Sequence, residues 1–196
     1  MNIQTTENEE NKELAQFNFS EEEQQAINEM QTIEHFKKGT ILLKEGEVSS
    51  KCYYIIKGCI RKYYLKDGEE KTVFFYTENQ PVSCSTDILQ KTPSNYYLEC
   101  VENTSCTYTT SQQEKELYKR FPRFETICRI STEEQLKEQQ EMFANFMTSS
   151  PEERYLNLIK TKPNLLNRVP QYQLASYLGI KPESLSRIRK RLATKA

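Results

Sequence analysis

The twenty residues QYQLASYLGIKPESLSRIRK, positions 171–190, constrain the fold more tightly than any other part of the chain. Two short helices that cross closely need a small side chain at the contact, and Ala175 stands there. Four residues later the turn between them needs a positive φ, which Gly179 accepts. Leu174, Leu178, Ile180, Leu185 and Ile188 fall where apolar side chains wedge the helices together. Pro182 opens the second helix at a position where no amide hydrogen is needed. The spacing predicts a helix-turn-helix whose second helix buries Leu185, Ile188 and Leu192 and exposes Glu183, Ser184, Arg187, Lys190 and Arg191.

Charge separates this end from the rest. The chain of 196 residues carries a net charge of only −1, yet residues from Pro151 onward hold ten Lys/Arg against three Glu, a net of +7. The first 150 residues therefore carry −8, and the division falls at a Ser-Ser-Pro junction, a domain-boundary signal. Lys181, Arg187, Arg189, Lys190 and Arg191 against Glu183 give +4 over eleven residues. Such a helix can be a solvated face of a small core. The concentration of one sign fits a phosphate backbone better, because otherwise it repels itself.

Upstream, residues 1–19 are acidic and amide-rich and read as a loose arm or a frayed helix. Ser20 with Glu23 forms a capping box for a short helix through Ala26, Ile27 and Met30. From Gly39 to Thr110 the texture is that of strands: TILL, CYYII, CIRKYYL, KTVFFY, YYLECV and SCTYTT, parted by Gly, Asp, Pro or Ser. Lys66-Asp67-Gly68-Glu69 predicts a two-residue hairpin turn. Short strands at this spacing predict an antiparallel barrel or roll. Ser111 with Glu114 predicts a second capping box, and Pro122 opens a long helix running to Thr148.

A 26-residue helix spans about 39 Å, longer than a small roll can cover. Either one stripe simply packs on the roll, or the overhang pairs with the same helix of a second subunit. Leu136, Phe143, Phe146 and Met147 are the candidate stripe, and the second reading is favoured. Ser150, Pro151 and Glu153 then start a further helix, which KTKPN interrupts.

Several function classes find no support. Cys52, Cys59, Cys84, Cys100, Cys106 and Cys128 include no C-x-x-C pair, and His35 is the single histidine. They read as small hydrophobic residues, with no metal site expected. No Gly-rich phosphate loop or G-x-S-x-G elbow is present, so an enzyme is not expected. No apolar run is long enough to span a bilayer, and Met1–Glu10 lacks the order of a signal peptide, which predicts a cytoplasmic protein without membrane partners.

In this order, a roll, a long helix and a terminal helix-turn-helix, the chain resembles the Crp/Fnr family of bacterial transcription regulators. FKKGTILLKEGE and YYIIKGCIRKYYLKDGEEKTVFFY resemble a cyclic-nucleotide-binding domain, and LASYLGIKPESLSRIRKRL resembles the family's DNA-reading unit. The resemblance implies an α+β fold: an N-terminal antiparallel β-roll (double-stranded β-helix) over 20–121, a dimerisation helix over 122–148, and an all-α helix-turn-helix domain over 149–196. It implies a homodimer on a palindromic site in double-stranded DNA, with RNA polymerase a further candidate partner. By position, Glu183, Ser184 and Arg187 would read base edges, and Arg168, Lys181, Arg189, Lys190 and Arg191 would hold phosphates.

Two departures qualify the likeness. Where cAMP-binding relatives have a Gly-Glu pair and then an arginine for the cyclic phosphate, this chain has Ser83-Cys84 and Ser94-Asn95. A phosphate anion without its counter-charge is unfavourable by several kcal/mol, so cAMP is not expected as a cofactor and the effector is unknown. Tyr76, Tyr96 and Tyr97, with those four residues, are candidates for an altered effector pocket, although tyrosines in a small roll also serve as plain wall. Only Ala193, Thr194, Lys195 and Ala196 follow the second helix, too few for a β-hairpin wing. The competing reading is an effector-sensing or scaffold module whose helix-turn-helix mediates protein contacts.

Overall fold

The computed structural model describes residues 18–82 and 92–194. Helix α1 (Glu21–Met30) opens on the expected box: Ser20 Oγ accepts the Glu23 amide at 3.2 Å while the Glu23 carboxylate accepts the Ser20 amide at 2.9 Å. Eight strands follow among the described residues: β1 (Thr32–Phe36), β2 (Ile41–Leu43), β3 (Lys51–Lys57), β4 (Ile60–Lys66), β5 (Glu69–Tyr76), β6 (Pro81–Val82), β7 (Tyr97–Cys100) and β8 (Thr104–Thr110). They form two four-stranded antiparallel sheets, ordered β1-β8-β3-β6 and β2-β7-β4-β5. This is the roll that the sequence predicts.

Strand alternation builds its interior. Tyr53 and Ile55 on β3, Ile60 on β4, Leu98 and Cys100 on β7 and Cys106 on β8 share one buried cluster with Leu43, Val82 and Tyr96. The chain passes from one sheet to the other at Gly58, whose φ is +121°. A Cβ there would lie 2.5 Å from Thr104 Oγ1, so only glycine permits this corner. At the β4–β5 hairpin Asp67 and Gly68 both have positive φ, as a tight primed turn requires.

Helix α2 (Ser111–Arg120) begins one residue earlier in the capping scheme than the sequence indicated. Its cap is Thr110 with Gln113, not Ser111 with Glu114, because Thr110 is still in the extended conformation that a cap needs. Helix α3 (Arg123–Thr148) is the long helix, with Pro122 as its cap residue. Phe19 stacks on Phe124 at 5.3 Å and Arg123 pairs with Glu23 at 3.3 Å, tying α1 to its start. Helices α4 (Pro151–Thr161), α5 (Leu165–Arg168), α6 (Gln171–Tyr177) and α7 (Pro182–Ala193) complete the fold. Ser150 caps α4 in the expected box with Glu153. Strand β1 and the short α5 were not foreseen.

A second core joins the two halves. Cys59, Phe75 and Val101 on the outer side of the roll are buried in one cluster with Tyr155, Leu158, Leu165, Leu174, Ala175, Leu178, Leu185 and Ile188. Of the cysteines, Cys59, Cys100 and Cys106 are buried as expected, whereas Cys128 is exposed on α3. Cys84 lies outside the described residues. No helix among the described residues is long and apolar enough to cross a membrane.

Candidate nucleic-acid interface

The turn between α6 and α7 is built as the spacing demands. Gly179 has φ +67°; its amide donates to Ser176 O at 2.9 Å, and the Ile180 amide donates to Ala175 O at 3.0 Å. This pair of bonds closes α6 with a left-handed residue at the position that a side chain would strain. Ala175 is fully buried, so the two helices meet over a methyl group. Pro182 occupies the first turn of α7, and the Lys181 carbonyl accepts the amides of Ser184 at 3.0 Å and Leu185 at 3.2 Å.

Helix α7 then sorts its residues by face. Leu185 and Ile188 are buried, and Leu192 packs partly against the same cluster. Glu183, Arg187, Arg189 and Lys190 are exposed, and Ser184 is half-buried. The Arg187 guanidinium donates to Ser184 Oγ at 3.2 Å, so two of the three proposed base readers already touch. Lys181, also exposed, stands at the helix start.

The remaining two cations are engaged within the chain. Arg191 forms an ion pair with Glu152 of α4. Arg168 is held far more completely. Its Nη1 donates to Glu78 Oε2 at 2.8 Å and its Nη2 to Glu78 Oε1 at 2.7 Å, while Nε and Nη2 reach Glu102 Oε1 at 2.9 and 2.5 Å. Burial draws the Glu78 carboxyl upward, but hydrogen bonds from Arg168 and from the Gly58 amide outweigh it and hold the group below its ordinary value. In this arrangement Arg168 faces the roll, with four of its five guanidinium N–H groups committed to the Glu78 and Glu102 carboxylates.

Along α3, Leu136, Phe143 and Met147 are exposed. Phe146 is partly covered, because the Arg154 guanidinium lies 4.5 Å over its ring and the Gly179 turn abuts it. All four stripe residues are exposed, Phe146 least of them at 42%.

The described candidate effector residues do not all face one pocket. Tyr96 is buried in the roll, with Lys62 Nζ 3.7 Å from its ring centroid. Tyr97, one residue on, faces the opposite side and stacks on Tyr63 at 5.0 Å, since neighbouring strand residues point to opposite faces. Tyr76 lies beside Phe74, 4.5 Å ring to ring, on a groove of about 310 Å³ between the roll and α3. Ser94 spends its hydroxyl on the backbone of Tyr96, and Asn95 is exposed. Ser83 and Cys84 lie outside the described residues.

Sequence reasoning overlooked Lys62, a cation on the interior face of β4 between Ile60 and Tyr64; the strand period of two was the available signal. Among the described residues no group of His, Cys, Asp and Glu is placed to hold a metal ion.

Residues 33–121 match the family model of the cyclic nucleotide-binding domain. No curated protein matches the chain by sequence. Solved structures resemble nearly all of it. FixK2 from Bradyrhizobium japonicum is 18% identical with a TM-score of 0.73, over 84% of this chain and 85% of that one. The c-di-GMP responsive global regulator CLP from Xanthomonas campestris is 13% identical with a TM-score of 0.71, over 90% and 93%. A CooA mutant from Carboxydothermus hydrogenoformans is 14% identical with a TM-score of 0.65, over 86% and 79%. At such identities the likeness establishes a common fold, and that fold is the one the sequence resemblance implied.

Proposed function

We infer that this chain, a cyclic nucleotide-binding domain at residues 33–121 within the fold of Crp/Fnr regulators, is a transcription regulator that binds duplex DNA as a homodimer. The observation that carries this reading is the division of α7: Leu185 and Ile188 are anchored in the core, while Arg187, Arg189 and Lys190 are exposed. A helix so mounted at the end of a helix-turn-helix has the dimensions of the major groove.

Within it Glu183, Ser184 and Arg187 take the role of base readers. An arginine donates a bidentate pair to guanine, and a glutamate accepts from a cytosine amine. Lys181, Arg189 and Lys190 take phosphates. Pairing through Leu136, Phe143, Phe146 and Met147 on α3 sets two such helices on successive half-sites of a palindrome, about 34 Å apart. The units are a roll over 20–121, a pairing helix over 122–148 and a reading domain over 149–196. The roll does not respond to cAMP, because Ser94 and Asn95 supply no cation for a cyclic phosphate.

Selection of bound sequences from random duplexes, followed by binding at rising salt, tests the reading. A steep linear loss of log affinity with log salt is expected, from release of counterions at each neutralised phosphate. A flat response would instead favour a scaffold whose helix-turn-helix meets proteins.

A further inference from the structure

The helix-turn-helix domain does not hang from α3; it is seated on the roll. Among the described residues strand β5 is the edge of its sheet, and an edge strand leaves backbone groups without a ladder partner. Ser176 of α6 fills part of that ladder: its hydroxyl accepts the Thr72 amide at 2.9 Å and donates to Glu70 O at 2.9 Å. Phe75 beneath it packs edge-on against Tyr177, 5.2 Å between centroids.

Arg168 closes the seat three residues before α6 begins. Its two carboxylate partners come from different corners of the roll: Glu78 from the loop after β5, and Glu102 from the loop between β7 and β8. Glu78 also accepts the amide of Gly58, the corner where β3 passes into β4, at 2.9 Å. One guanidinium therefore gathers three turns of the roll. The fork of donors that grips these carboxylates is the same fork that grips phosphate. Arg168 also lies just ahead of the first helix of the helix-turn-helix, which in DNA complexes of this motif crosses the backbone.

We propose that Glu78 and Glu102 form a latch in which two roll carboxylates occupy the guanidinium that a duplex phosphate would take, so that seating on the roll and binding to DNA compete for Arg168. The proposal rests on the DNA-binding reading above and adds its regulation. Two further features favour an interface that can part. Thr72 Oγ1 and Gln173 Oε1, on the two facing elements, are buried without a protein hydrogen-bond partner, a cost that separation relieves. Glu69, at the hairpin tip and paired with Lys71, is also close enough to Lys181 to feel its charge, which places a carboxylate beside the start of the reading helix. A duplex approaching the seated domain meets that acid and finds Arg168 already engaged.

The test compares wild type with Glu78→Gln/Glu102→Gln and, separately, Ser176→Ala. Binding of a fluorescent 30-base-pair random duplex is read by anisotropy, and amide exchange is followed at Gly58 and Thr72. If the seated form holds most molecules, releasing it tightens duplex binding by about tenfold, with faster exchange at Thr72 in each variant. Unchanged or weaker duplex binding, with Thr72 exposed to exchange, overturns the competition. Slow exchange in every variant overturns the latch itself. If no protein binds duplex at any salt while the variants exchange faster, the DNA-binding reading fails and the seat alone survives.

Discussion

The ring of Phe146, near the end of α3, lies 2.7 Å from the point where a Cβ on Gly179 would stand. The long helix and the helix-turn-helix thus meet edge to backbone, and the glycine serves two demands at once, a φ of +67° and the absence of a side chain. Gly179→Ala is expected to destabilise the protein by about 1–3 kcal/mol, through left-handed strain added to the clash. Adding Phe146→Ala removes the clash but not the strain. Chemical denaturation of the two single variants and the double should therefore show partial rescue, and purely additive losses would contradict the shared contact.

Arg187 and Lys190 are both exposed on α7 but are assigned different tasks. Arg187→Ala should cost about 1–3 kcal/mol on a selected site and relax one base preference. Lys190→Ala should weaken all duplexes alike and lower the salt slope by about one unit. Binding across a randomised pool separates the two; identical behaviour would refute the division into readers and anchors.

Glu114 of α2 is drawn by burial above the ordinary carboxylate value, offset in part by a hydrogen bond from Thr109. A group raised on folding contributes stability that is fully present below its unfolded pKa and is lost as pH rises through the folded one. Glu114→Gln should then melt higher than wild type at pH 7, with the two curves converging below about pH 4. A constant difference across that range would show that ionisation of Glu114 is not its origin.

Calorimetry with cAMP should give no saturable heat, since the positions that would meet the phosphate carry Ser94 and Asn95. Tight binding would show that another cation, with Lys62 the first candidate, supplies the missing charge.

The wild type is expected to sediment as a dimer, and Leu136→Glu together with Phe143→Glu as a monomer at the same concentration. Both side chains are more than half exposed in the single chain, so their loss costs little folding stability and acts on pairing. A variant that still sediments as a dimer would move the interface elsewhere.

Much of this molecule was legible locally. The caps at Ser20 and Ser150, the Asp67-Gly68 turn and the helix-turn-helix around Gly179 depend on a few adjacent residues whose backbone preferences act without help. Strand β1 was not legible. It is an edge strand whose Glu34 and His35 break the apolar pattern, and its pairing with β8 spans some seventy residues, with His35 Nδ1 meeting Ser105 Oγ at 2.8 Å. The separation of Tyr96 from Tyr97 was missed for a related reason, because they are neighbours in sequence but lie on opposite faces of one sheet.

Arg168 marks the boundary between the two kinds of knowledge. The sequence by itself determined most of the elements, the polarity of α7 and the presence of a basic terminal domain, because periodicity, turn chemistry and net charge are properties of short windows. Only the tertiary structure decided which carboxylates face which cations. Glu78 and Glu102 stand 90 and 66 residues from Arg168 along the chain and within 3 Å of it in space. An ion pair follows distance through the fold, and no local pattern encodes that distance.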